Sequence, residues 1–180
     1  MVDPGGEIER IAEIIEYYDL TVRSILHTHG HIDHIYCTHD VKQAHGGEIC
    51  LHRGDVFLYD GFAQQCAMFR LPKRDVSPID RFVAHGDKIA LGKLELDVIH
   101  TPGSICFEIT DGSRTIMFAG DTLFRRGVGR TDLPGGDSGA LHRSIRERLY
   151  TRDLHALVVP GHGPSTTLGE EAKANPFVKA

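Results

Sequence analysis

His29-Gly30-His31-Ile32-Asp33-His34 puts three imidazoles and a carboxylate into six residues. Side chains of this kind turn inward together only around a cation, because neutral imidazole and ionised carboxylate are otherwise better served by water. The segments on either side say where the cluster sits. Arg23 to His27 reads as a short strand running into it. A helix is predicted from about Asp33 to His45, closed by Gly46-Gly47, and Glu48 to His52 reads as the next strand. Strand, helix, strand is the alternation of an α/β layer, with the histidines at the carboxyl end of the first strand.

Working outward toward the N-terminus, Ile8, Ile11, Ile14 and Ile15 recur at three- and four-residue spacing. An amphipathic helix is therefore expected over Glu7 to Tyr18, after the turn Met1-Val2-Asp3-Pro4-Gly5-Gly6. Toward the C-terminus, Gly54 to Arg81 is ambiguous apart from a helical stretch around Gly61 to Phe69. Beyond Phe82 the reading changes to short strands, Lys88 to Leu91, Leu94 to Ile99, Ile105 to Thr110 and Thr115 to Ala119, separated by turn pairs. These make a second, meandering sheet. A helix over Ser138 to Tyr150, opened by Asp137 or Ser138, and a strand over Ala156 to Val159 complete the pattern. Two more metal-capable residues stand just after strands in glycine-rich turns: Asp121 in Ala119-Gly120-Asp121, and His162 in Pro160-Gly161-His162-Gly163-Pro164.

Composition narrows the class. The 180 residues are 41% hydrophobic and 25% charged, which excludes disordered and low-complexity chains and predicts one folded domain over 1–180. A net charge of −5 with no basic run argues against nucleic acid as partner, and no apolar run is long enough for a membrane span or signal peptide. Cys37, Cys50, Cys66 and Cys106 form no C-x-x-C pair and read as buried thiols of a reducing compartment, so a cytoplasmic address is expected. Histidine, ordinarily a rare residue, occurs 12 times, which points to metal chemistry.

Together, Thr28-His29-Gly30-His31-Ile32-Asp33-His34, Gly120-Asp121-Thr122-Leu123-Phe124 and the Pro160 to Pro164 stretch resemble the ligand motifs of the metallo-β-lactamase-fold hydrolases. Phe124 to Asp132 and the tail ending in Asn175-Pro176-Phe177 are similar to the small single-domain glyoxalase II type, the hydroxyacylglutathione hydrolase-like proteins. The resemblance implies an α/β fold, a four-layer αβ/βα sandwich. Because that family usually opens with further strands before the Val-Asp-Pro-Gly-Gly turn, it also implies a first sheet without its N-terminal strands.

The same resemblance implies two divalent metal ions, zinc first, with iron or manganese as alternatives. His29 and His31 would hold one ion, Asp33, His34 and His162 the other, and Asp121 would bridge them. The implied reaction is hydrolysis of a small-molecule thioester of the S-acylglutathione type, such as S-D-lactoylglutathione, by a metal-bridging hydroxide. Asp33 would orient that hydroxide and protonate the leaving group, and Arg130 would meet the glutathione end of the substrate. The family pattern doubles the tetrapeptide seen here once in His100-Thr101-Pro102-Gly103-Ser104. His100 is thus either the third histidine ligand of the first ion or a strand-end histidine. Two other functions stay open: a mononuclear iron persulfide dioxygenase, and an inactive relative serving as a binding module.

Overall fold

The computed structural model describes residues 1–132 and 137–180, and the chain divides into two compact units, Met1–Val83 and Ala84–Ala180. In the first unit, helix α1 (Ile8–Tyr17) leads to strand β1 (Ser24–Leu26), helices α2 (Ile32–Ile35) and α3 (Thr38–His45), and strand β2 (Glu48–His52). Helices α4 (Val56–Asp60) and α5 (Phe62–Phe69) and strand β3 (Arg81–Val83) follow. The sheet order is β1-β2-β3, parallel throughout, and Val2 adds a parallel bridge to Leu26. Ile25, Val41 and Ile49 are fully buried where α3 crosses β1 and β2, with Ile8 and Ile11 of α1 packed against them. Of the four isoleucines in the predicted stripe, Ile15 is also buried, whereas Ile14 is 45% exposed, so the stripe is covered only in part.

The helix expected over Asp33 to His45 is two helices. An unbroken helix needs Cys37 to donate to the carbonyl of Asp33, but the Cys37 amide donates instead to Pro4 O at 2.9 Å. Gly5 lies so close to the Asp33 carbonyl that a Cβ on it would stand 1.6 Å from that oxygen. The Pro4-Gly5 turn therefore cuts the helix after Ile35, and only glycine fits at position 5. Helix α4 arises within the stretch that had no clear period, and strand β3 begins at its last residue, Arg81.

In the second unit, β4 (Lys88–Leu91), β5 (Leu94–Thr101), β6 (Ser104–Asp111) and β7 (Arg114–Gly120) form an antiparallel meander. The short hairpin β8 (Leu123–Phe124) and β9 (Gly127–Val128) precedes helix α6 (Ser138–Ser144), and β10 (Leu157–Pro160), β11 (Thr166–Thr167) and α7 (Leu168–Ala174) close the chain. The sheet order is β11-β10-β7-β6-β5-β4, with β10 parallel to β7. Asp137 caps α6 by accepting from the Ala140 amide, as expected. The predicted helix widens over Ile145–Leu149 into a π-helical turn, where Tyr150 N reaches back to Ile145 O at 2.9 Å. Leu141, Ile145 and Leu149 bury against Ile99, Met117, Ala119 and Val158 of the sheet. The four cysteines are buried and free, and no described helix is long and apolar enough to cross a membrane.

Candidate metal centre

In the first unit β1 ends at Leu26, and the chain turns through Thr28 to His31 before α2 begins, so His29, His31, Asp33 and His34 all follow the carboxyl end of one strand. The imidazole of His29 lies 4.6 Å from that of His31 and 4.1 Å from that of His34, centroid to centroid. His29 and His34 are buried, and the half-exposed Asp33 carboxylate comes within 3.8 Å of His34 Nε2.

A hydrogen-bonded chain starting at Asp3 fixes which ring nitrogen of two histidines carries the proton. Asp3 Oδ2 stands 2.9 Å from His34 Nδ1 and accepts the Thr28 hydroxyl at 2.6 Å, while Oδ1 accepts the Thr28 amide at 2.8 Å. Burial pushes the Asp3 carboxyl up, but hydrogen bonds and charge from His27 and His34 outweigh it and hold the group well below the usual carboxylate range. An ionised carboxylate only accepts, so His34 Nδ1 donates to it. The single hydroxyl proton of Thr28 is spent on Asp3. At 3.0 Å from Thr28 Oγ1, His29 Nδ1 must then donate as well. In the neutral form of each histidine, donation from Nδ1 places the lone pair on Nε2, which is how metal-binding histidines are usually set by their outer hydrogen bonds. Donor type, burial and tautomer all fit divalent ions.

In the second unit the ligand-type groups come from two strand ends. Asp121 follows β7 immediately, and His162 stands two residues after β10. These strands are neighbours, and the Gly161 amide donates to Gly120 O at 2.8 Å, which carries the pairing past the last register pair and across a shift at Pro160. His162 Nε2 consequently lies 3.8 Å from Asp121 Oδ2. Gly129 backs the Asp121 turn so tightly that a Cβ there would stand 2.0 Å from Asp121 O. The Thr101 hydroxyl donates to Ser104 O, so the buried Thr122 hydroxyl, 2.6 Å away, donates to Thr101 and ties the Asp121 turn to the β5–β6 hairpin.

Two more predicted residues belong to the second unit. His100 is half-buried on β5, opposite Ile105, and no described group of three or more metal-capable side chains includes it. Arg130 is exposed and holds Asp132 through two hydrogen bonds of 2.9 Å. Sequence reasoning missed Asp3 and Thr28. Asp3 precedes Pro-Gly-Gly and reads as a turn residue, and only the bridge of Val2 to Leu26 brings it beside the histidines.

Residues 1–162 match the family model described as Metallo-beta-lactamase superfamily. The chain is 38% identical over 186 residues to the hydroxyacylglutathione hydrolase GloC of Haemophilus influenzae, covering 100% of this chain and 87% of that protein. Among solved structures it is similar to TTHA1623 in a di-iron-bound form, with a TM-score of 0.83 and 35% identity over 98% of this chain and 87% of that one. It also resembles the BLEG-1 B3 metallo-beta-lactamase, with a TM-score of 0.86 and 30% identity over 99% of this chain and 87% of that one.

Proposed function

The chain belongs to the metallo-beta-lactamase superfamily and has its mixed α/β fold, which implies divalent-metal binding, and we propose that it is a dinuclear hydrolase of small-molecule thioesters of the S-acylglutathione type. In this reading both units act as one domain. His29, His31 and Asp121 would hold one ion, and Asp33, His34 and His162 the other, with Asp121 proposed to serve both. The observation that carries the proposal is the Asp3–Thr28 chain, which leaves Nε2 of His29 and Nε2 of His34 as donors, one for each ion. Zinc is the proposed metal, and the di-iron form of TTHA1623 supports iron as the alternative.

Divalent ions bound there would lower the pKa of water toward neutrality and polarise a carbonyl. The chain's own residues do the rest. Asp33, half exposed beside His34, presents a carboxylate that orients the attacking water and carries its proton toward the departing sulfur. A thiolate leaves readily, so this acid need not be strong. Arg130 is proposed to exchange Asp132 for a substrate carboxylate; the present pair is exposed to water, where such bridges contribute little, so the exchange is cheap.

Metal quantification on the purified chain, together with hydrolysis of S-D-lactoylglutathione and of a chromogenic β-lactam, tests the reading. Two ions per chain and selective thioester cleavage are expected. One iron per chain with oxygen consumption on a persulfide, or β-lactam cleavage alone, would replace it.

A further inference from the structure

We infer that Gln65, on α5, is the positioning residue that sets the direction of the His31 imidazole and thereby the affinity of the first metal position. The inference rests on the metal reading above. The Gln65 side-chain nitrogen donates to Gly30 O at 3.0 Å, and its carbonyl oxygen accepts from the Ile32 amide at 2.9 Å. These are the peptide groups on the two sides of His31, so a single planar amide grips the backbone before and after that residue. His31 is held at φ −71°, ψ 149°, extended backbone immediately ahead of α2. Rotation about either torsion would break one of the two bonds. A side chain on an extended residue stands in a direction dictated by those torsions, so the grip on the peptides is a grip on the imidazole.

Gln65 is itself held in place. Its nitrogen also donates to Leu58 O at 2.9 Å, in the middle of α4, which uses both amide protons. The loop meanwhile lies hard against α4: a Cβ on Gly30 would stand 2.8 Å from Leu58 Cβ and 2.9 Å from Asp55 O. The Gly30 amide, on the preceding peptide, goes to Asp55 Oδ1 at 3.1 Å. Helices α4 and α5 therefore act as the seat of the ligand loop, with Gln65 addressing His31 and Asp55 addressing the peptide between His29 and Gly30. Metal–ligand geometry tolerates deviations of only about 0.2 Å, so a freed His31 costs affinity even with every ligand present.

The test uses the full chain and two variants. Gln65→Met keeps length and volume but makes no hydrogen bonds; Gln65→Glu keeps an acceptor for the Ile32 amide and turns a carboxylate toward two carbonyls. Zinc affinity at each position is read by competition with a chromophoric chelator, and amide hydrogen exchange is followed at Gly30 and Ile32 in the metal-free chain. Outer-residue substitutions at metal sites typically cost about 10–100-fold in affinity. That loss is expected at one zinc position in both variants, with the other held within about twofold. Ile32 exchange should accelerate in Gln65→Met and stay closer to wild type in Gln65→Glu, while Gly30, bonded to Asp55, is unchanged in both.

Unchanged Ile32 exchange in Gln65→Met would overturn the inference, as would two zinc affinities that fall together in step with lost thermal stability. A wild-type chain that takes up no zinc overturns the metal reading itself. That result is distinct from a wild type that binds two ions and a Gln65→Met chain that binds them equally well, which overturns the role of Gln65 alone.

Discussion

The two units bring their metal-capable side chains together in opposite ways. In the first, His29, His31, Asp33 and His34 lie within six residues of one segment, with His29 and His34 buried and backed by Asp3 and Thr28. In the second, Asp121 and His162 are far apart in sequence, and the His162 side chain is 56% exposed. Their approach depends on β7 and β10 being paired in one register. A local segment is set by its own hydrogen bonds, whereas a pair of strand ends is only as well placed as the sheet beneath it. The first kind of site is preorganised side chain by side chain. The second inherits its order from a buried core, in which Met117, Ala119 and Val158 are inaccessible to solvent.

The largest effects should come from removing one ligand on each side of this comparison. His34→Ala and His162→Ala are each expected to lose mainly the second ion and to lower hydrolysis by about 10²–10³-fold or more, the scale for deleting one electrostatic stabiliser from a site. His34→Ala should be the more severe, because it also strips a buried partner from Asp3. Metal content and kcat/KM measured together check both. Equal activity in the two variants and wild type would dissolve the dinuclear assignment, and a greater loss in His162→Ala would reverse the contrast between units.

Asp3→Asn addresses the preorganised side alone. Asparagine has the same shape, but its NH2 group cannot accept from His34 Nδ1 and the Thr28 hydroxyl, so the tautomers of two ligands are released at once. Zinc affinity should fall by about 10–100-fold at both positions, with the β7–β10 pairing intact by amide exchange. Wild-type affinity in this variant would show that neither tautomer depends on Asp3.

A smaller and pH-dependent effect is expected at Asp55. Burial pushes its carboxyl up to about 6, against an ordinary 3.8, and the nearby Asp3 charge adds to the rise, while the Gly30 amide opposes it. Between these values the folded chain holds a proton that the unfolded chain has released, so stability decreases as pH rises from about 4 to about 6. The span corresponds to roughly 3 kcal/mol at most. Asp3 has the opposite sign, but its contribution is lost only as pH falls below the ordinary carboxylate value, outside this window. Urea unfolding of metal-free wild type and Asp55→Asn across pH 4–7 separates them, the variant keeping the Gly30 bond and giving the flatter profile. Parallel profiles would mean that Asp55 does not titrate in this range.

The difference between the units also explains what the sequence could reveal. Motif density made the clustering of His29, His31, Asp33 and His34 legible, because four metal-capable groups within six residues must lie near one another. The β4–β7 meander was legible because turn pairs punctuate it, and the Glu48–His52 and Lys88–Leu91 strands match their sequence bounds. The break in the predicted Asp33 to His45 helix was hidden, since it comes from Pro4, more than thirty residues upstream, competing for the Cys37 amide. Asp3 and Gln65 were hidden for the same reason. A lone acid in a turn and a lone amide on a helix have no period and no neighbours of their own kind, and only the fold brings them to the histidines.

The smallest expected effect belongs to His100, the residue that the sequence pattern left with two readings. Ile99 packs into the core beneath α6, and the Thr101 hydroxyl bonds to the buried Thr122, so strand alternation turns His100 to the other face of the sheet. Its carbonyl accepts from Arg148, which covers an edge of β5 where β4 no longer pairs. The hairpin that follows is closed by Pro102-Gly103, with Gly103 at φ +83° and Thr101 paired to Ser104. Its place on β5 opposite Ile105, on the face away from Ile99 and Thr101, makes the strand-end reading the one proposed. His100→Ala should leave metal content unchanged and alter stability by only about 0.5 kcal/mol, the usual range away from packed or ligating positions. Inserting His-Thr-Pro-Gly between Gly103 and Ser104 then supplies the histidine that the doubled family pattern carries, and should raise affinity for the first ion. Loss of one ion in His100→Ala would reverse this. It would make the β5 strand a third source of ligands in the second unit and place a histidine held by sheet register on equal footing with those of the first unit's turn.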